Sequence, residues 1–152
     1  MTDIRISPIG VVHNSILEPV DEDWGKVVSR ISVGKSYAPG LRGLNQFSHA
    51  IILTYFHRAE FDAEKHLVRR PRGLPSMPDI GIFSQRAKDR PNPIGVTSVS
   101  ILRVGDDFLE VRGLDAIDGT PVLDIKPYYP QFDLVTQPSI PAWVNELMAG
   151  YF

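Results

Sequence analysis

Apolar and polar residues alternate with a period of two over much of this chain, and the pattern predicts short strands. Val27 to Val33 is the cleanest case: Val27, Ser29, Ile31 and Val33 fall on one side, and Val28, Arg30 and Ser32 on the other. Ile4 to His13 carries Ile4, Ile6, Ile9 and Val11, broken at Ser7-Pro8, which predicts a bulged or edge strand. His49 to His57 is denser and predicts a strand buried on both faces. Ser98 to Val104 should meet Phe108 to Arg112 across Gly105-Asp106-Asp107. Phe108 to Leu114 should lead through Asp118-Gly119-Thr120-Pro121 into a second hairpin with Val122 to Lys126. Helical signals are few. Leu41 to Phe47 and Ala59 to His66 suit single turns. Pro141 to Met148 suits a C-terminal helix, with Trp143, Val144, Leu147 and Met148 covering one end of the sheet. The sum is a mainly β chain: an antiparallel barrel or sandwich with a few short helices, in one domain over 1–152.

The most constrained stretch is Arg90-Pro-Asn-Pro-Ile-Gly95. It lies between two strand-like runs, Ile80 to Ser84 and Val96 to Leu102. Pro91 and Pro93 fix φ and bias the residue before each toward extended backbone. Gly95 follows, where a positive φ is expected. The corner holds Arg86, Lys88 and Arg90, as a loop that places guanidinium groups on an anionic ligand would.

Composition narrows the chemistry. A net charge of −2 argues against coating nucleic acid by bulk electrostatics, so any such contact must be local. Lys65, His66, Arg69, Arg70 and Arg72, with Arg86, Lys88 and Arg90, form the one basic candidate. There is no cysteine, which removes disulfides, thiolate metal sites and a cysteine nucleophile, and fits a reducing cytoplasm. No apolar run approaches the ~20 residues of a membrane span, and the N-terminus reads as no signal peptide. A Rossmann fingerprint, a Walker loop and a GxSxG elbow are all missing. His13, His49, His57 and His66 lack metal-ligand spacing, so no metal is expected.

Three segments taken in order, GLRGLNQFSHAIILTYFHRA, GIFSQRAKDRPNPIGVTSVSIL and LDAIDGTPVLDIKPYYP, resemble the TsaA-like, or TrmO, family over about Ile9 to Asp133. The resemblance implies a mainly antiparallel β-barrel, a homodimer and a site for S-adenosyl-L-methionine. The implied activity is methylation of N6 of threonylcarbamoyladenosine beside the anticodon of tRNA. The motifs fall on Phe56-His57-Arg58, on Phe83 to Arg86, on Arg90 to Val96 and on Asp118 to Tyr128. The cofactor residues so implied are His57, Arg58, Arg86, Val96, Asp118, Lys126 and Tyr128, lining one barrel mouth. Arg86 is first choice for the cofactor carboxylate and Arg58 second. The substrate residues are Arg69, Arg70, Arg90 and Asn92. Position 85 is Gln where the family often has Thr. A Pro-Arg-Gln element of longer members is replaced by the acidic run Glu18 to Trp24.

For a poorly nucleophilic carbamoylated nitrogen, His57, Asp118 and Asp124 are groups that could take a proton, and Arg90 or Lys126 could stabilise an anion. The sequence does not choose among them. The other readings are an enzyme of the same chemistry acting on a small molecule, and a non-enzymatic sensor or scaffold that binds the cofactor.

Overall fold

In the computed structural model, which describes residues 2–152, the alternating segments close into a barrel. In chain order the strands are β1 (Gly10–His13), β2 (Val28–Val33), β3 (His49–Tyr55), β4 (Val68–Arg69), β5 (Ile80–Gly81), β6 (Ile94–Val104), β7 (Phe108–Arg112) and β8 (Pro121–Pro127). The barrel runs β1-β2-β7-β6-β3-β8 and closes where β8 pairs with β1; every pair is antiparallel. The short β4–β5 ribbon is an excursion between β3 and β6. Helices are brief: α1 (Ala63–His66), α2 (Pro130–Asp133) and α3 (Ala142–Leu147).

Period-two patterning fills the interior. Val12, Ile31, Ala50, Ile52, Leu109, Val111 and Val122 are fully buried. Each larger one stabilises the fold by about 1.5–3 kcal/mol through removal from water. Leu41 and Leu44, on two 3-10 turns, close the end where β3 begins. The β2 alternation holds as read, with Ser29, Ile31 and Val33 inside.

Several expectations are corrected. β3 is not buried on both faces: Ala50, Ile52 and Thr54 point in, Ile51 and Leu53 are half-covered, and His49 and Tyr55 are exposed. Its outer face carries Ile51, Leu53 and Tyr55 and is only partly covered. The second hairpin does not form. β7 pairs with β2 and β6, while β8 pairs with β1 and β3, so the Asp118–Pro121 turn ends a crossover. The strand order of this barrel requires such a long-range connection, and local turn chemistry cannot announce it. Only Gly10–His13 of the N-terminal run is a strand, and Ile4 is 84% exposed. Ile80–Ser84 is a two-residue strand followed by a 3-10 turn at Ile82–Ser84. A C-terminal helix forms at Ala142–Leu147 but buries none of its residues, and the residues after it make the backbone pairing: Asp23 and Trp24 donate their amides to the Gly150 and Tyr151 carbonyls at 2.9 and 2.8 Å. The Tyr151 hydroxyl donates to Asp115 at 2.7 Å. Burial first, then the Asp115 charge, raises the Tyr151 pKa, so the phenol keeps its proton.

The outer wall has two characters. Across β2, β7 and β6, Arg30, Glu110 and Arg103 stand abreast; both arginines meet Glu110 at 3.0 Å and lie over the Phe108 ring. Across β6 and β3 the wall is apolar, with Tyr55 and Ile94 paired and Leu53 and Val96 paired. Tyr55, Ile94 and Val96 are 43%, 39% and 46% exposed.

Candidate functional site

One pole of the barrel gathers four chain segments. β3 ends there and passes into Phe56-His57-Arg58, β6 begins there after the proline corner, β1 ends there, and the turn before β8 crosses it. Asn14 ties the last two together. Its amide nitrogen donates to Ser29 Oγ at 3.0 Å and to the Ala116 carbonyl at 2.8 Å. Its side-chain oxygen accepts the Ile16 amide at 2.9 Å. Its backbone amide donates to an Asp118 carboxylate oxygen at 3.1 Å, and the Asp118 amide donates to the Ile16 carbonyl at 2.7 Å. Gly119 turns the chain at φ +82°, where a side chain would be strained. The space a Cβ would take there lies 4.0 Å from His57 Nε2, so the imidazole stands over this turn.

The proline corner packs against the end of β3. The Phe56 amide donates to the Pro93 carbonyl at 2.8 Å. Gly95 does not adopt a positive φ. A Cβ there would lie 2.5 Å from Thr54 Oγ1 and 2.6 Å from the Phe56 ring, so the requirement is close approach between β6 and β3. Arg86 donates to the Val96 carbonyl at 2.6 Å and remains exposed, leaving most of its fork free. Arg58 is more occupied: it donates to the Leu17 carbonyl at 3.1 Å and pairs with Glu18 at 3.0 Å. The acidic stretch after β1 therefore folds back onto the arginine that follows β3.

Other arginines serve the loops. Arg70 donates to the Met77 and Pro75 carbonyls, and Arg90 to the Gln85 carbonyl at 2.9 Å. Gln85, 6% exposed, donates to the Arg69 and Ile80 carbonyls at 2.8 Å each, stapling β4 and β5 to the corner. Its own Oε1 and the Arg69 Nε are buried without partners. Arg69, Arg70, Arg72 and Gly73 wall a shallow depression beside this staple. Asn92 is exposed at the tip, its carbonyl accepting the Ile94 amide at 2.8 Å.

The residues read from the sequence do not all meet at one mouth. His57, Arg58 and Asp118 share the pole, and Arg86 and Val96 stand on the adjoining apolar wall. Lys126 pairs in register with Ile51, and the Tyr128 amide donates to His49, at the start of β3. At ~3.3 Å per residue, Lys126 and Tyr128 sit roughly 15 Å or more from His57. Lys126 bonds Asp124 at 2.6 Å; that hydrogen bond, with the Asp124 charge, raises its pKa. A cleft of about 470 Å³ opens at this second pole, lined by Tyr37, Arg42, Phe47, Asp124 and Pro127 among others. Asn14 escaped the sequence reading, since an asparagine after a strand looks like an ordinary turn residue. Among the described residues no cluster of metal ligands forms.

The sequence model of the tRNA-methyltransferase O N-terminal domain matches residues 19–134. The chain belongs to the TrmO family. It is 40% identical over 135 residues to a probable S-adenosyl-L-methionine-binding protein of Methanothermobacter thermautotrophicus, covering 86% of this chain and 94% of that one. It is 42% identical over 141 residues to the tRNA (adenine(37)-N6)-methyltransferase of Escherichia coli, covering 86% of this chain and 60% of that protein. The crystal structure of TrmO from Pseudomonas aeruginosa superposes with a TM-score of 0.73 at 30% identity, over 91% of this chain and 62% of that one. The chain thus spans about three fifths of the length of these last two relatives and nearly all of the first.

Proposed function

We propose that this TrmO-family protein is an S-adenosyl-L-methionine-dependent methyltransferase that modifies N6 of threonylcarbamoyladenosine beside the anticodon of tRNA. The observation that carries the reading is the convergence of three family motifs on one pole and its adjoining wall: His57-Arg58, Arg86 with the proline corner, and Asp118-Gly119. The residues present fit the cofactor. Arg86 has donors to spare for a carboxylate, while Arg58 is committed to Glu18. Asp118 spends one carboxylate oxygen on Asn14, and its charge suits an ammonium or sulfonium group. Val96 and Ile94 offer an exposed apolar face for an adenine ring. The cofactor supplies an electrophilic methyl group.

The chain's main task is then alignment of the accepting nitrogen with that methyl. Of the three groups that could take a proton, His57 and Asp118 stand at the pole, while Asp124 is held by Lys126 at the other end. His57 and Asp118 are therefore the groups placed to assist. Asn92 at the exposed tip and Arg69 beside the basic depression would meet RNA. Arg70 and Arg90 would shape that surface, since their guanidinium groups hold loop carbonyls.

Lys126 and Tyr128 join this site only if a second copy supplies them, and a homodimer is proposed on that ground and on the apolar β6–β3 wall. No helix among the described residues is long and apolar enough to cross a membrane. A tRNA substrate supports a cytoplasmic location. The relative of nearly equal length is named for binding alone, which favours a cofactor-binding role without turnover as the second reading.

Incubation with labelled S-adenosyl-L-methionine and total tRNA, followed by mass spectrometry of the nucleosides, separates the two. Methylated threonylcarbamoyladenosine is expected; cofactor binding with no labelled nucleoside supports the second reading. Arg86→Ala is expected to weaken cofactor binding by about tenfold or more in calorimetry, with the urea midpoint little changed.

A further inference from the structure

The second pole carries a feature that the methyl-transfer reading leaves unused. Phe47 and Tyr129 stack with ring centroids 5.8 Å apart at 21°, and Tyr129 and Phe132 continue the series at 6.0 Å and 37°. This is the offset geometry in which aromatic rings attract. The inner ring is half-buried against the core, the middle one is 42% exposed and the outer one 82% exposed. The exposed ring is not on a loose loop. Pro130 opens the α2 turn, the Phe132 and Asp133 amides return to the Tyr129 carbonyl at 3.0 and 2.9 Å, and the Asp133 carboxylate accepts the Tyr129 amide at 3.1 Å. A phenylalanine held in water by a hydrogen-bonded turn is pre-organised for a flat partner. Arg42, in the adjoining cleft, is exposed and makes no side-chain hydrogen bond or ion pair among the described residues.

We propose that the Phe47–Tyr129–Phe132 ladder, with Arg42, is a stacking site for an unpaired nucleobase of the substrate RNA, at the pole opposite His57 of the same copy. The inference rests on the RNA reading above and adds a second foothold to it. Bases splayed from single-stranded loops are recognised by stacking on aromatic rings, and a free guanidinium meets the accompanying phosphate. A second copy of this chain is the competing occupant. The ladder favours RNA because its inner ring lines the same cleft as a free guanidinium, while the broad apolar strip lies on the β6–β3 wall.

The test uses the full chain, a fluorescein-labelled anticodon stem-loop RNA and a fully paired duplex of matched length. Phe132→Ala is expected to weaken stem-loop binding by about tenfold, leaving duplex binding and S-adenosyl-L-methionine affinity unchanged. Phe132→Tyr should restore stem-loop binding. Arg42→Ala should lower the salt dependence, and Phe132→Ala should not. Undiminished stem-loop affinity in Phe132→Ala would overturn the stacking site alone. So would a shift of that variant to a smaller species in sedimentation, which would assign the ladder to a second copy. Wild-type protein that binds the cofactor but no stem-loop would overturn the RNA reading, and the stacking site with it.

Discussion

Gly95 illustrates how a single residue is fixed by its neighbours. Its backbone conformation is one that any residue adopts, yet β3 approaches so closely that no side chain fits. Gly95→Ala is expected to destabilise the fold by about 1–3 kcal/mol, read as a lower urea midpoint at unchanged slope. Asp89 is fixed by charge. Burial pushes its carboxyl upward, but the Lys88 ammonium at 2.8 Å and the Glu60 amide at 3.0 Å outweigh that and leave its pKa lowered. A carboxylate with a lowered folded pKa stabilises the protein above its unfolded value, near ~3.9, and loses that contribution as pH falls through the folded value. Asp89→Asn should therefore lower stability at pH 7, and the gap to wild type should narrow as pH falls below the unfolded value.

At the scale of elements, the pole is assembled by connections rather than by strands. The β1–β2 loop, the β3 end and the turn before β8 meet through Asn14, Arg58 and Asp118. Each side-chain hydrogen bond of Asn14 is worth about 0.5–1.5 kcal/mol. Asn14→Ala is expected to cost roughly 1–3 kcal/mol and to weaken cofactor binding as well, because the loop whose backbone amide holds Asp118 loses its side-chain bonds to Ser29, Ala116 and Ile16. Denaturation and calorimetry on the same variant check both; unchanged cofactor affinity would detach the Asn14 network from the site. Gln85 does the corresponding work on the other side, holding β4 and β5 to the proline corner with both amide hydrogens.

Across the whole molecule, the barrel wall has a charged face and an apolar one. The β2–β7–β6 wall is covered by the Arg30–Glu110–Arg103 group. The β6–β3 wall exposes Tyr55, Ile94 and Val96 beside Arg86. If a second copy covers that wall, Val96→Glu should yield a monomer in sedimentation and lower cofactor affinity together, since one face serves both. A variant that stays dimeric, or a wild type that is already a monomer, would remove the dimer from the proposal.

Strand patterning, the turn at Gly105-Asp106-Asp107 and the C-terminal helix were legible in the sequence because they depend on neighbours a few positions apart. The motifs at Phe56–Arg58, Arg86–Val96 and Asp118–Tyr128 also named the family without help from coordinates. Register was not legible. That β8 lies between β1 and β3 sends Lys126 and Tyr128 to the pole opposite His57, although a few residues separate them from Asp118. A strand carries its two ends apart by its full length, so sequence nearness along β8 means distance in space. The occupancy of each arginine was likewise decided by the fold, because Arg58, Arg70, Arg86 and Arg90 are alike as residues. They differ only in which carbonyls and carboxylates the closed barrel brings within reach of their guanidinium groups.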